Sequence, residues 1–433
     1  CDWSSDVCSS DLVALQLTTM KRADFRDVYQ WLDSVARICA LLGTYFALVG
    51  ILFVARIPWV ERGVGHDRLV TWHRKLAPYS LFLIGFHVLL VLIGYAGEEH
   101  IALYKESWKL LTQYPWMWGA FLGFVLMVQA GVTSYKKARA KLSYESWWLL
   151  HTLTYVAVAA AMMHQISNGP MFLNHPLNKL FWVLLYVAVA FSIVVWRIGI
   201  PLWKSIRHDL KVDRVIVEAP GVVSVVIRGR ALHRLGAQGG QFFNWRFAQK
   251  GHFLLQHPYS LSAAPKDKFL RITVKDLGDH SRDLINLKTG TRVFMEGPYG
   301  AFTANRATRK HVVLVAGGVG ITPIRAIAEE FGDSVRIDIL YRVSNESELV
   351  LRKELDYMAE KSAGSIKVHY LVGSRNQHPM SANYIQKYVP YFADSDVYVC
   401  GPEGMVDAVR NAAKQVGVPK NRFHDEAFAF HSS

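Results

Sequence analysis

The stretch Leu76–Ala96, LAPYSLFLIGFHVLLVLIGYA, is long and apolar enough to cross a hydrocarbon layer of about 30 Å as one α-helix. His73 precedes it and His87 lies inside it. An imidazole at such a depth is costly without a partner, which makes it a functional candidate. The two histidines are fourteen residues apart, almost four helical turns. That spacing places both rings on one face, about 21 Å apart along the axis. A second apolar stretch repeats the arrangement with His151 and His164 in HTLTYVAVAAAMMH.

One histidine in an apolar helix reads equally well as a hydrogen-bonded core residue. Four, paired at near-equal spacing in two spanning helices, suit two haems stacked across a membrane, because imidazole nitrogen is a standard axial ligand of haem iron. The thirteen-residue separation of His151 and His164 resists this picture. On an ideal helix it turns the second ring about 140° away from the first. Either that helix is wound irregularly or its two histidines approach their ligands differently.

Five apolar spans are expected, near 35–57, 76–96, 116–134, 147–167 and 180–200. Arg56, Arg62, Arg68, Arg74 and Lys75 fill the first connection, and Lys136, Lys137, Arg139 and Lys141 the third. Lys204, Arg207 and Lys211 follow the last span, whereas the other connections are acidic or nearly uncharged. The positive-inside rule therefore puts these basic loops, and everything after residue 204, in the cytoplasm. His73 and His151 then lie near the inner face, and His87 and His164 toward the outer one. Trp59, Trp72, Trp116, Trp118, Trp147, Trp148 and Trp203 sit near span ends, where amphipathic rings prefer to lie. Arg37, near the outer end of the first span, either attracts a haem propionate or a nascent superoxide anion, or is an interfacial arginine that snorkels to the headgroups.

The formal net charge of +14 is scattered along the chain and reads as basic loops plus sites for anionic cofactors, not as a nucleic-acid patch. Four cysteines without a CxxC exclude a disulfide framework or a zinc site. Residues 1–12, CDWSSDVCSSDL, lack the order of a signal peptide and resemble the in-frame translation of a sequencing-library adapter. They are read as an artefact that replaces the true N-terminus, with an exposed natural tail as the alternative.

From about residue 211 the pattern changes to short β-branched alternations: VDRVIVEAP, GVVSVVIRGR, FLRITVKDL and GTRVFMEGP. These predict a small antiparallel β-barrel. From about 310, strands and helices alternate as in a doubly wound parallel α/β sheet.

Within this half, His257-Pro258-Tyr259-Ser260 resembles the flavin-binding signature of the ferredoxin–NADP reductase superfamily, with His257 where Arg is usual. Gly278-Asp279-His280-Ser281 matches that family's second element, and Gly317-Gly318-Val319-Gly320-Ile321-Thr322-Pro323 its nucleotide loop. The latter is not GxGxxG, so the Rossmann fingerprint is absent. Its glycines nevertheless let backbone approach a ligand, and Pro323 suits a first helical turn. Cys400-Gly401-Pro402 matches the nicotinamide-side motif.

Taken together, residues 30–433 resemble the NADPH oxidase and ferric reductase transmembrane family, especially its compact prokaryotic-type members. The resemblance implies a bis-haem membrane domain over 13–203, an FAD-binding barrel over 204–306 and an NADPH-binding α/β domain over 307–433. It implies six spans in the intact protein, of which five are visible, and haems paired by level, His73 with His151 and His87 with His164. It implies that Tyr259 packs on the flavin ring, that Ser260 bonds near its reactive nitrogen, and that Gly278, His280 and Ser281 receive the FAD pyrophosphate. A terminal aromatic, Phe428 with Phe430 as runner-up, is expected over the flavin, a tail packed on the domain being the alternative.

Electron counting orders the cofactors. NADPH delivers a hydride, haem accepts one electron, and FAD does both. The expected activity is electron transfer from cytoplasmic NADPH through FAD and two b-type haems to an acceptor beyond the cell membrane. Oxygen giving superoxide is the first choice, ferric or cupric ion the second, and a non-catalytic cytochrome relay the rival from another class. Val91 stands where some eukaryotic oxidases carry a further histidine. NADPH is expected over NADH, because the strand ends that face the adenosine ribose in this superfamily carry Arg342 and Ser374-Arg375 and no acidic residue.

Overall fold

The computed structural model describes residues 27–173, 175–249, 256–276, 278–332 and 335–428. The segment 1–12 and Phe430 lie outside them. The chain divides into two compact units that meet between Ile200 and Pro201.

Among the described residues, five helices are long and apolar enough to cross a membrane: Val28–Val54, Arg68–Glu98, Met117–Ser134, Ser146–Asn168 and Pro176–Arg207, the last of which runs past the end of the first unit. In detail, α1 (Val28–Val54) packs along α2 (His66–Glu98), and Pro78 lies inside α2 without ending it. After α3 (Leu103–Gln113), α4 (Met117–Ser134) packs on the helix that follows the next connection. That helix comes in two pieces, α5 (Tyr144–Thr152) and α6 (Thr154–Asn168), interrupted at Leu153. The last span joins α7 (Pro176–Ser192) through a π-helical turn, Ile193–Gly199, to α8 (Ile200–Arg207).

Small residues set these contacts. Without a hydrophobic drive between helices in lipid, association rests on close packing. Gly119 and Gly123 of α4 are four apart and face α6 so closely that an added Cβ would lie 2.6 Å from the Ala160 carbonyl and 2.7 Å from that of Ala157. Gly43 of α1 faces Ile84 of α2 in the same way, at 2.9 Å. Large apolar side chains point outward instead, as with Phe82, Phe121, Leu177 and Val187.

In the second unit, six strands form two antiparallel three-stranded sheets, ordered β1-β2-β5 and β4-β3-β6. These are β1 (Lys211–Ala219), β2 (Val222–Arg228), β3 (Phe242–Phe247), β4 (His257–Ser260), β5 (Phe269–Lys275) and β6 (Val293–Tyr299). The expected barrel is thus two sheets joined at their corners by the bridges Lys211–Arg292 and Leu261–Ile272. Its core interleaves inward residues of both sheets, among them Val225, Ile227, Phe243, Trp245, Ile272 and Met295.

The rest is a parallel sheet of order β11-β10-β7-β8-β9. It comprises β7 (His311–Gly317), β8 (Arg336–Val343), β9 (Ile366–Val372), β10 (Asp396–Pro402) and β11 (Phe423–Phe428). α9 (Ile321–Phe331) and α10 (Arg352–Lys361) cover one face, as Ile324, Ile327 and Leu355 show. α11 (Ala382–Tyr388) and α12 (Glu403–Gln415) cover the other through Ile385, Met405 and Val409. The sheet is doubly wound, and its strand order reverses between β7 and β10. Ligands of such sheets bind at that switch point, beyond the carboxyl ends of the strands.

The glycine contacts yield a stability test. Gly123→Leu should destabilise the membrane unit by about 1–3 kcal/mol or more, because the Ala157 carbonyl has no room to retreat. Gly85→Ala, with open space around its Cβ position, should cost nothing. Melting of the two purified variants in detergent measures the difference, and equal melting temperatures would refute this packing.

Candidate electron-transfer sites

In the membrane unit, His73 and His87 project from α2 toward α1. Each has its Nδ1 2.9 Å from a backbone carbonyl there, Gly50 for His73 and Ala36 for His87. A ring whose Nδ1–H donates to a carbonyl is fixed in the tautomer that leaves Nε2 bare, the usual condition of a metal-binding imidazole.

His151 faces His73, with ring centres 6.1 Å apart and planes at 82°. A metal between two axial imidazoles, with bonds of about 2 Å and about 1.2 Å from nitrogen to ring centre, needs ring centres about 6 Å apart. The pair fits that requirement. Among the described residues no three His, Cys, Asp or Glu side chains gather to hold a bare metal ion. His151 Nδ1 lies 3.2 Å from Ser134 Oγ, which also accepts from Trp147 Nε1 at 3.2 Å. Trp147 stacks on the His151 ring at 5.1 Å.

His87 and His164 share the walls of two cavities, one of about 290 Å³ and one of about 150 Å³. The larger is lined mainly by apolar side chains such as Ile84, Val88, Leu110, Phe121 and Phe124. The smaller adds the polar groups Asp33, Arg37, Tyr95 and Tyr114. Arg37 pairs with Asp33 one turn earlier on α1. Val91 lines both cavities.

The break at Leu153 accounts for the thirteen-residue spacing. Thr154 Oγ1 donates to the His151 carbonyl at 2.7 Å, and regular winding resumes only at Thr154. The helix is therefore irregular between its two histidines, one of the two alternatives the sequence left open.

In the second unit, His257 and Tyr259 alternate on β4, so their rings fall on one side, stacked at 6.0 Å. Pro258 is exposed, Ser260 is buried, and Trp245 Nε1 donates to the Tyr259 carbonyl at 3.0 Å. Burial pushes the Tyr259 phenol up, so it stays neutral. At the second element, Gly278 has φ +153° with open space around its Cβ position, and the Ser281 hydroxyl donates to its carbonyl at 2.9 Å. The backbone of His280 lies in the short helix Asp279–Asp283 that this turn opens.

At the switch point, β7 and β10 approach as only glycine allows. A Cβ on Gly320 would lie 2.2 Å from the Cys400 carbonyl, and one on Gly401 3.1 Å from Gly317. Gly318, at φ +55°, faces open space. That open backbone at the start of α9, where Thr322 and Pro323 occupy the first turn, is a fitting cradle for a pyrophosphate. Cys400 is fully buried, and burial, then the Glu426 charge, raise its thiol well above the usual range. It is a neutral donor, not a thiolate nucleophile. Glu426 escaped the sequence reading. The parallel pairing of β10 with β11 puts it opposite Cys400, and Phe428 opposite Pro402.

Arg342 is the last but one residue of β8, and Ser374 and Arg375 follow β9, which pairs with it. Burial, then the Arg375 charge, lower the Arg342 pKa, so the two cations are near enough to repel. The Ser374 amide and hydroxyl both donate to Gln377 Oε1, at 2.8 and 3.1 Å. The two arginines therefore make this strand end cationic, while the Ser374 donors are engaged by Gln377.

Three family profiles match the chain in order: a ferric reductase like transmembrane component over residues 39–162, an FAD-binding domain over 210–303 and an oxidoreductase NAD-binding domain over 314–411. The class is a membrane flavoprotein oxidoreductase. Its architecture is that of the NADPH oxidase and ferric reductase family. The first match includes His73, His87 and His151 and stops just before His164.

Flavohemoprotein B of Dictyostelium discoideum is 28% identical over 52% of this chain and 60% of its own length. NADH-cytochrome b5 reductase 1 of Candida glabrata is 29% identical over 37% of this chain and 63% of its own. A plasma membrane-associated coenzyme Q6 reductase of Saccharomyces cerevisiae is 32% identical, over 39% and 60%. The chain thus spans about 60% of the length of these relatives.

Glu426→Gln should bring the Cys400 thiol down toward, but not into, the ordinary range, because burial remains when the charge is gone. The pH midpoint of Cys400 alkylation, followed by peptide mass spectrometry, reads this. An unchanged midpoint would show that the two groups do not interact.

Proposed function

We propose that this protein carries electrons from cytoplasmic NADPH, through FAD and two b-type haems, across the cell membrane to oxygen, giving superoxide. The observation that carries the reading is two imidazole pairs at two depths of the membrane unit, in a chain whose second unit has flavin- and nucleotide-binding folds. A relay or sensor cytochrome needs no dehydrogenase, which weighs against that reading.

When bound, FAD takes a hydride as an electron pair and releases single electrons, and haem iron passes them on. The chain's own groups do the rest. His73 and His151 would hold one metal centre and His87 and His164 the other, with Nδ1 of His73, His151 and His87 tied to Gly50, Ser134 and Ala36 respectively. Tyr259 and His257 offer one stacked face to the isoalloxazine, and Ser260 a hydroxyl to its reactive edge. Gly278, His280, Ser281 and the Gly317–Pro323 loop receive phosphate. Cys400 and Glu426 flank the nicotinamide, with Phe428 as the aromatic that covers the flavin until coenzyme arrives.

The basic loops favour a cytoplasmic dehydrogenase. The apolar cavity beside His87 and His164 is space that the second haem would fill, and Arg37 is ion-paired with Asp33 at its polar edge. Oxygen is proposed as the acceptor on the family resemblance, with ferric ion as the alternative. NADPH-driven oxygen consumption, with and without superoxide dismutase and ferric chelates, tests the whole reading. Reduction of ferric chelate alone would move the acceptor to iron.

Replacing His87 or His164 with Ala should remove one haem, leaving roughly half the b-type absorbance. The same change at His100 or His175, outside the ligand set, should leave the spectrum unchanged. Full haem content in both ligand variants would sink the assignment.

Arg375→Ala should separate the coenzymes. NADPH differs from NADH by a 2′-phosphate, and charge-assisted bonds are worth about 1.5–3 kcal/mol. NADPH should therefore weaken roughly 10- to 150-fold while NADH barely changes. A relative named for NADH makes this the sharpest check on the coenzyme. Equal weakening of both, or a wild type that prefers NADH, would refute the anion site.

A further inference from the structure

β5 reads FLRITVK, and its alternation serves two masters. Leu270, Ile272 and Val274 point into the barrel core. Arg271, Thr273 and Lys275 point the other way and meet a row of groups from the flavin strand and the nucleotide-binding lobe. Arg271 grips Glu354, in the first turn of α10, with both arms, Nη1 to Oε1 at 2.5 Å and Nη2 to Oε2 at 2.9 Å. The same guanidinium donates to Ser262, from Nη2 to the carbonyl at 2.8 Å and from Nε to the hydroxyl at 3.1 Å. Ser262 stands two residues after Ser260 of the flavin motif. Thr273 also donates to the Ser262 hydroxyl, at 2.7 Å, and Lys275 reaches Glu348 at 3.5 Å.

The contact continues to the other nucleotide helix. Arg325 of α9 lies 2.9 Å from Glu354 Oε2 and pairs with Glu329. Glu329 accepts the Ala264 N–H at 2.9 Å and faces Lys266 at 3.4 Å. Charges alternate in sign along Lys266, Glu329, Arg325, Glu354 and Arg271, and Arg271 and Arg325 are largely buried. A planar, two-armed pair of this kind fixes direction as well as distance. α9 follows the glycine loop and α10 follows the strand that carries Arg342. The row therefore ties the flavin motif to the helices behind both nucleotide-binding loops.

We propose that Arg271 is a positioning residue for hydride transfer: through Ser262 and Glu354 it fixes the flavin strand against the nucleotide lobe, and so sets the approach of nicotinamide to flavin. This rests on the reading that FAD and a nicotinamide coenzyme bind the second unit. In the step concerned, the coenzyme C4–H bond breaks and its electron pair passes with the hydrogen to the flavin, leaving oxidised coenzyme. Such transfer is steeply sensitive to distance, so a small loss of register slows it without emptying either site.

The test uses the full chain in detergent with FAD bound, as Arg271→Ala, Glu354→Gln and the double variant. Flavin bleaching by NADPH is followed anaerobically by rapid mixing. Each single variant should slow reduction at saturating coenzyme tenfold or more, with half-saturation shifted less than threefold. The double variant should be no slower than the slower single one, as for two ends of one contact. Independently of activity, and without coenzyme, amide exchange across Arg352–Lys361 should rise in both single variants while that of Asp396–Pro402 stays put.

Glu354→Gln is nearly isosteric and lies away from the barrel core, so it decides the matter if Arg271→Ala loses FAD. A wild-type rate in Glu354→Gln overturns the proposal, and so does a double variant whose loss is the product of the single ones. Wild-type protein whose flavin NADPH cannot reduce would instead break the underlying cofactor assignment, and the proposal with it.

Discussion

An imidazole inside an apolar bundle must have one nitrogen satisfied before the other can do anything, and the membrane unit is arranged around that demand. The carbonyls that accept from His73 and His87 belong to Gly50 and Ala36 of α1. Both already sit in a helix, so each uses a second lone pair, and no backbone bond is given up. The price is proximity: α1 and α2 must run side by side over most of their length, and the small residue at Gly43 makes that possible. The same demand explains why Ser134 and Trp147 converge on His151.

The second unit depends on a comparable closeness at the carboxyl ends of β7 and β10. Gly320, in the turn after β7, lies where a Cβ would come within 2.2 Å of the Cys400 carbonyl of β10, and a Cβ on Gly401 would come within 3.1 Å of Gly317. A crevice opens there because the strand order reverses. Everything that the proposed hydride transfer needs then follows from register. Cys400 faces Glu426 and Pro402 faces Phe428 across β10 and β11, while Arg342 and Arg375 stand at neighbouring strand ends. The alternation of β5 adds the link to the flavin motif, since one strand can face a core and a charged partner at once.

Local chemistry was legible in the sequence wherever it was continuous along the chain. The five spans, the switch from long apolar runs to β-branched alternation, and the glycine loop before α9 all announce themselves within a few residues. Three features did not. The interruption at Leu153 carries no proline or glycine, so nothing in LLHTLTY marks it, and it rests on a threonine hydroxyl that turns back to a carbonyl. Pro78 lies inside α2 without ending it, in keeping with the reading of Leu76–Ala96 as one helix. Glu426 becomes a neighbour of Cys400 only through a parallel pairing, which fixes a register that no local pattern encodes. Arg271 reads as the solvent side of an edge-like strand, yet its partner lies 83 residues away.

The four histidines are not held alike, and the difference follows from which helix each faces. His73 and His87 project from a regular helix onto a neighbour that supplies carbonyls at matching intervals. His151 relies on a hydroxyl, shared with an indole. His164 Nδ1 is buried with only the Ala161 carbonyl of its own turn beside it and no hydrogen bond of good geometry. An unsatisfied buried donor costs about 1–3 kcal/mol, so this ring gains the least from hydrogen bonding of the four. It also borders both cavities, whereas His73 and His151 border neither. Its neighbour Gln165 is the opposite case, with its carbonyl accepting from Trp182 at 2.8 Å and from Tyr186 at 3.1 Å. The Gln165 network thus stands one residue away from His164 and ties α6 to α7 at the level of the second imidazole pair.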